Sequence, residues 1–309
     1  MKLYIDYKIN DSGKGKFLQR LIPYLEELGI KCSFKKKKAD IALGIRRWRN
    51  ELKIPKILRV DGLHMYREKK TYYTNQLTKK SIKISDGIIW QSQFCKDMVT
   101  GIFKIKPKKE FVIFNGANPD HYSKGQVYNK QHRYRVLMSA RWKERPWKRL
   151  KDCIDVAKEV MLLVPDVEFC ILGKVDKKNN IKNMKYYGHL SENVMRKIIP
   201  ECDAMLNLSY YDWCPNAVVE ALVAGVPVVC NNASGVKEII DPESCEIVNC
   251  DLEPIPKVWN HDKPPRVNPK PVAEALIRIL NSGKRASCPW LNIKSIAEQY
   301  KKAFESILK

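Results

Sequence analysis

The stretch from Asp203 to Ile240, DAMLNLSYYDWCPNAVVEALVAGVPVVCNNASGVKEII, constrains this chain more than any other. It reads as a buried strand at residues 204–208, a loop, a helix, a second buried strand at 227–230 and a glycine-bearing turn. Both strands are short apolar runs without alternation, the pattern of parallel strands covered on both faces. Pro215 suits the first turn of the helix, where its missing N–H costs nothing. Gly225 and Pro227 stop the helix at its other end. A helix that begins directly after a strand carries its N–H groups and positive dipole end to the C-terminal edge of the sheet, where anions bind in open α/β folds. Two carboxylates frame it: Asp212 in the loop and, after seven intervening residues, Glu220 inside the helix. Asn216 and Glu220 lie one turn apart and share a face. Taken alone, these two acids read equally as a cap-side aspartate with a solvated glutamate, or as a ligand site.

The remaining chain repeats the alternation of strand and helix. Residues 2–6 predict a first strand, followed by a tight, exposed turn at Gly13 and Gly15. Phe17, Leu18, Leu21, Ile22, Leu25 and Leu28 then recur at helical spacing up to Gly29. The N–H groups of such a turn can approach a phosphate or a sugar. The later glycine of a Rossmann fingerprint and the Gly-Lys-Ser/Thr of a P-loop are both absent. Strands are expected at 32–34, 39–43 and 56–60, and the last runs into Arg59, Asp61 and Gly62. Asp61 reads either as a turn aspartate bonding its own backbone or as a contact to substrate. A basic helix over 71–84, a strand at 87–90 leading to Gln91 and Ser92, and a strand at 111–114 before Asn115-Gly116 complete this half. The polar stretch 123–133 has the composition of a linker.

Beyond it, strands are expected at 135–139, 167–172 and 184–187, with helices at 147–164 and at 191–201, the latter capped by Ser191. Arg141 follows a strand end and Lys148 opens the next helix. A Pro-rich connector (254–271), a helix near 272–280 and a final helix over 293–308 close the chain.

A length of 309 residues allows two domains with separate cores. No apolar run approaches the ~20 residues that span a bilayer. The first residues read as a strand rather than a signal peptide. Ten cysteines without a C-x-x-C pair read as reduced core thiols in a cytoplasmic protein. No Cys/His cluster has zinc-ligand spacing. The formal charge of +23 points to polyanions: nucleic acid, an anionic membrane surface touched peripherally, or phosphate-bearing substrates. A lysine-biased, solvated surface explains the same charge.

The stretch around Asp212 and Glu220 resembles the donor-binding segment of glycosyltransferase family 4, the glycosyl transferases group 1. The likeness lies in an acid, seven residues, Glu-Ala-Leu, then Ala-Gly-Val-Pro-Val-Val and Ser-Gly-Val-Lys-Glu. The family usually has glutamate where this chain has Asp212, and glycine after the lysine where it has Arg149. Its glycine turn after the first strand is similar to Gly13 and Gly15, and its Arg…Lys pair to Arg141 and Lys148. Many members carry His-Gly at the strand end that here holds Asp61; a smaller set is similar to this chain, with Arg-(apolar)-Asp-Gly.

The resemblance implies an α/β protein of the GT-B fold, with two Rossmann-like domains whose parallel sheets face an interdomain cleft. The expected division is a trimmed, acceptor-side domain over 1–125, a nucleotide-sugar domain over 126–290, and a last helix over 291–309 crossing back to the first. The implied enzyme is a retaining glycosyltransferase without a metal or other cofactor, taking a UDP- or GDP-sugar. The acceptor would be a hydroxyl of a glycan, a lipid or a protein-linked glycan. Glu220 would hold the ribose, Asp212 the sugar with backbone N–H groups near Asn216 and Ala217, and Arg141 with Lys148 the diphosphate. Asp61 and Asp212 are the candidates for positioning acceptor and sugar. The absence of any Asp-x-Asp triplet agrees with a metal-free site. Two other readings stand beside it: a basic nucleic-acid-binding protein on a nucleotide-binding scaffold, though no specific nucleic-acid motif is found, and a nucleotide-sugar hydrolase or sugar phosphorylase.

Overall fold

The computed structural model describes residues 1–36, 38–65, 69–122, 132–250 and 264–309. Most of the expected linker at 123–133, and the expected Pro-rich connector up to residue 263, lie outside them. The described residues divide into two compact units, one formed by Met1–Ala117 with Trp290–Lys309, the other by residues 118–122, 132–250 and 264–289.

The first unit runs β1 (Lys2–Asp6), α1 (Gly13–Glu27), β2 (Lys31–Ser33), β3 (Ile41–Ile45), β4 (Lys56–Val60), α2 (Lys69–Lys83), β5 (Gly87–Trp90), α3 (Gln93–Phe103) and β6 (Glu110–Val112). Its sheet is parallel throughout, in the order β2-β1-β3-β4-β5-β6. The order reverses between β1 and β3, which opens a crevice outside their C-terminal ends. Gly13 and Gly15 are not an exposed turn ahead of the helix but lie in the first turn of α1, with Gly15 buried. Ser12 moves the helix start forward: its hydroxyl accepts from the Gly15 N–H at 3.3 Å, and Asn10 holds the Ser12 N–H at 3.1 Å. A Cβ on Gly15 would sit 1.8 Å from the Asn10 carbonyl oxygen, so only glycine closes this cap.

The second unit runs β7 (Tyr134–Ser139), α4 (Leu150–Leu163), β8 (Val167–Leu172), β9 (Met184–Gly188), α5 (Glu192–Ile198), β10 (Ala204–Asn207), α6 (Asn216–Val223), β11 (Val228–Asn231), β12 (Glu246–Val248) and α7 (Pro269–Ser282). Its parallel sheet is ordered β9-β8-β7-β10-β11-β12. This is the doubly wound Rossmann order, with its switch point between β7 and β10. β10 and β11 are buried along their whole length, as unalternating apolar runs require. The helix expected over 147–164 is instead a 3-10 turn (Pro146–Lys148) followed by α4, because Arg149 adopts a left-handed conformation (φ 58°) between them. Pro200 ends the next helix early: α5 stops at Ile198 and a 3-10 turn takes over at Ile199–Glu201. Ser191 stands at the N-cap of α5, but its side chain makes no capping bond.

The last helix, α8 (Ile293–Leu308), belongs to the first unit and packs on α1. The Tyr300 ring lies 6.0 Å from that of Phe17 and 5.9 Å from that of Phe304. All ten cysteines are free thiols, mostly buried. Burial pushes Cys153 and Cys288 up to about 12.

Candidate active site

At the switch point of the second unit, two loops leave the C-terminal ends of β7 and β10. The first carries Arg141 and then the 3-10 turn that ends at Lys148. Its anchor is Trp142, whose indole N–H donates to the Leu172 carbonyl at 2.8 Å. Gly173, at the end of β8, lets this loop come close: a Cβ there would lie 1.9 Å from the Ala140 carbonyl oxygen, and its φ of +107° suits only glycine. The second loop carries Tyr210, Tyr211 and Asp212. The Tyr210 N–H donates to the Trp147 carbonyl at 2.9 Å, joining the two loops.

Lys148 Nζ forms an ion pair with Asp212 Oδ2, and both side chains are largely shielded from solvent. The other oxygen of Asp212 accepts from the Trp213 N–H at 3.1 Å. Its carbonyl accepts from the Gly235 N–H at 2.9 Å, which ties the 3-10 turn Gly235–Glu238 to the same loop. Lys148, Asp212 and the glycine turn are thus linked by direct bonds, and α6 follows within the same loop.

α6 begins at Asn216, with Pro215 in the N-cap position (φ −72°, ψ 125°) rather than in the first turn. Asn216 and Ala217, both half-buried, supply its opening N–H groups. Glu220 is 5% exposed, on a helix whose other buried residues are Val218, Val219, Ala221 and Leu222. A core needs only apolar groups at such a position, and an acid there costs free energy. Arg141 differs from Lys148: it is exposed and has no ion-pair partner among the described residues.

Sequence reasoning missed Arg149. Its side chain is 1% exposed, donates to the Pro265 carbonyl at 2.7 Å, and lies 4.8 Å from the centroid of the Tyr210 ring. The signal was the glycine expected at that position, since only a left-handed residue fits there.

In the first unit, Asp61 directly follows β4. Its Oδ1 lies 3.1 Å from Arg59 Nη2, and the same guanidinium donates to Asn115 Oδ1. Gln91 reaches that oxygen at 3.4 Å, while Ser92 caps α3 through a 3.0 Å bond from the Cys95 N–H. Asp61 does not bond its own backbone: neither carboxylate oxygen accepts a hydrogen bond among the described residues. Gly13 and Gly15 lie at the start of α1, beyond the end of β1 in the same unit. Lys14 and Arg46, which feel the charge of Asp61, and Arg47 beside them were not singled out. Two consecutive arginines directly after β3 were the available signal.

Among the described residues no group of three or more His, Cys, Asp or Glu is placed to hold a metal ion, and no helix is long and apolar enough to cross a membrane.

Residues 124–250 match the family model described as Glycosyl transferases group 1. Comparison with curated proteins by sequence gives no match. Among solved structures, the chain is similar to HepE of Anabaena in complex with UDP and glucose: 14% identity, 99% of each chain covered, TM-score 0.66. It is also similar to the lipopolysaccharide outer core galactosyltransferase WaaB, at 13% identity over 100% of this chain and 99% of that one, TM-score 0.64. WaaG, a glycosyltransferase involved in lipopolysaccharide biosynthesis, matches at 12% identity over 99% and 95%, TM-score 0.63. At such identities the likeness speaks to fold, and the fold is the two-domain, Rossmann-like GT-B architecture. The second half of the chain carries a glycosyl transferases group 1 domain, and the protein is a glycosyltransferase.

Proposed function

We propose that this glycosyltransferase is retaining and metal-independent, and moves a sugar from a UDP- or GDP-sugar to the hydroxyl of a glycan or lipid acceptor. The observation that carries the reading is the buried Lys148–Asp212 pair at the switch point, bonded through Asp212 to the glycine turn and followed by a helix that buries Glu220. The neighbouring HepE structure holds UDP and glucose, which supports a nucleotide-sugar donor.

In this reading Glu220 accepts hydrogen bonds from the ribose hydroxyls, and Lys148 and Arg141 face the diphosphate. The first turn of α6 adds its N–H groups and the positive end of its dipole. The bond that breaks joins the anomeric carbon to the β-phosphate oxygen, and negative charge collects on the nucleotide. Fixed cations and helix N–H groups stabilise that charge as it develops. The bond that forms joins the anomeric carbon to the acceptor oxygen on the same face, and the acceptor proton passes to the departing phosphate. Asp212 orients Lys148 and contacts the transferred sugar, while Asp61 is the first unit's contact to the acceptor hydroxyl.

The test is product analysis with a panel of UDP- and GDP-sugars, with and without acceptor. Glu220→Ala and Lys148→Ala are each expected to lower transfer by at least about a hundredfold, in line with the loss of a preorganised charge partner, with melting transitions intact. Full transfer by both variants would contradict the assignment. Sugar release that ignores the acceptor would favour a hydrolase.

A further inference from the structure

The C-terminal edge of the first unit's sheet gathers a second charged cluster. Arg46 and Arg47 follow β3, Asp61 follows β4, Arg59 lies in β4 and Lys14 sits in the first turn of α1. The Asp61 side chain is 4% exposed, yet neither of its oxygens accepts a hydrogen bond among the described residues. Arg59 approaches it at 3.1 Å, but its Nε and Nη1 also lack acceptors there. Arg46 is held in a left-handed conformation (φ 67°), and its N–H donates to the Arg59 carbonyl at 2.7 Å. Its guanidinium lies 2.5 Å from His64 Nε2 and 3.4 Å from Asn75 Oδ1, while its Nε has no hydrogen-bond partner among the described residues. Lys14 feels the charges of Asp61, Arg46, Arg59 and Arg47 together, and burial lowers it to about 8. Burial likewise lowers Arg46 to about 10.

Arg59 therefore pairs with this carboxylate, Lys14 and Arg46 feel its charge, Arg47 stands exposed beside them, and Arg59 Nε, Arg59 Nη1 and Arg46 Nε are shielded from water without hydrogen-bond partners among the described residues. Such groups are costly unless a ligand completes them. A neutral sugar would leave the cations unmatched, and a bare anion would leave Asp61 without a donor. A ligand that carries a phosphate beside a hydroxyl matches both: the phosphate meets the guanidinium and ammonium groups, and the hydroxyl donates to Asp61. The N-terminus of α1, where Lys14 sits, adds its positive dipole end. We propose that the Lys14–Arg46–Arg47–Arg59 cluster with Asp61 binds the acceptor, and that this acceptor is a phosphate-bearing polyol or sugar presenting a hydroxyl to Asp61. The inference deepens the transferase reading and rests on it.

The full-length protein, saturated with UDP to occupy the second unit, is titrated with glycerol 3-phosphate, with glycerol and with inorganic phosphate. A separate titration with UDP alone reports on the donor reading. Glycerol 3-phosphate is expected to bind with one-to-one stoichiometry, and glycerol at the same concentration is expected not to bind. Arg46→Gln and Lys14→Gln should each weaken glycerol 3-phosphate about tenfold, the scale of one charge-assisted hydrogen bond, whereas Lys177→Gln should not. Asp61→Asn should act in the opposite sense on inorganic phosphate, binding it as well as or better than wild type, while losing the preference for glycerol 3-phosphate. A folding defect would not produce opposite signs. Competition by phosphatidylcholine vesicles doped with phosphatidylglycerol identifies a lipid headgroup, and its absence a soluble phosphate; either supports the shared chemistry. No binding of glycerol 3-phosphate by the wild type, or equal binding by the Arg46 and Lys14 variants, would overturn the proposal.

Discussion

Lys148 and Asp212 illustrate what single residues reveal and conceal. Asp212 and Glu220 stood out by their spacing around a helix start, and both lie where a strand hands over to that helix. That Lys148 bonds directly to Asp212 was not legible, because the two are far apart in sequence and meet only when β7 and β10 pair. Asp61 was visible as a strand-end acid, but the charges that bear on it were not, since Lys14 and Arg46 belong to other elements. Lys14 offers a test at this scale. Its folded pKa is lowered to about 8, chiefly by burial. Between about 8 and its unfolded value the unfolded chain binds more protons, so this lysine makes stability rise with pH. Lys14→Met should therefore melt higher than wild type below pH 8, and the gap should shrink as pH rises toward 10. Melting curves of both proteins across that range check this; a gap that is constant or widens would refute it.

Elements were legible where one signal dominated. The unalternating runs at β4, β5, β8 and β10 were recognised because parallel strands buried on both faces have no polar face to blur them. The three-residue β12 was missed: its sequence, Glu-Ile-Val, holds no run long enough to stand out. The start of α4 was misplaced because Arg149 takes a conformation that glycine normally supplies, and a sequence pattern does not show φ. The loop bearing Arg141 depends on a contact that a glycine does reveal. Gly173→Ala places a methyl 1.9 Å from the Ala140 carbonyl oxygen at a φ of +107°. The loss expected is about 3 kcal/mol or more, read as a drop in the urea midpoint. The same variant should weaken nucleotide binding, because the β7–α4 loop must shift to make room. Unchanged stability would mean that the close approach is not a constraint.

At the scale of the whole molecule, each unit repeats one plan: a six-stranded parallel sheet with a reversal of strand order that leaves a crevice at its C-terminal edge. The two-domain architecture was legible because the alternation of strand and helix occurs twice. The charge of +23 was the least informative property, since it is compatible with nucleic acid, membranes or phosphates alike. Its meaning is better sought where cations are buried without partners than in the total. The central claim is that the second unit holds a nucleotide through Lys148 and Glu220. Calorimetric titration of wild type, Lys148→Ala and Glu220→Ala with UDP and with GDP tests it most directly. The account predicts that one of the two nucleotides binds the wild type and that each variant binds it at least about tenfold more weakly, about 1.4 kcal/mol. Binding of neither nucleotide to the wild type, or undiminished binding to both variants, would contradict it.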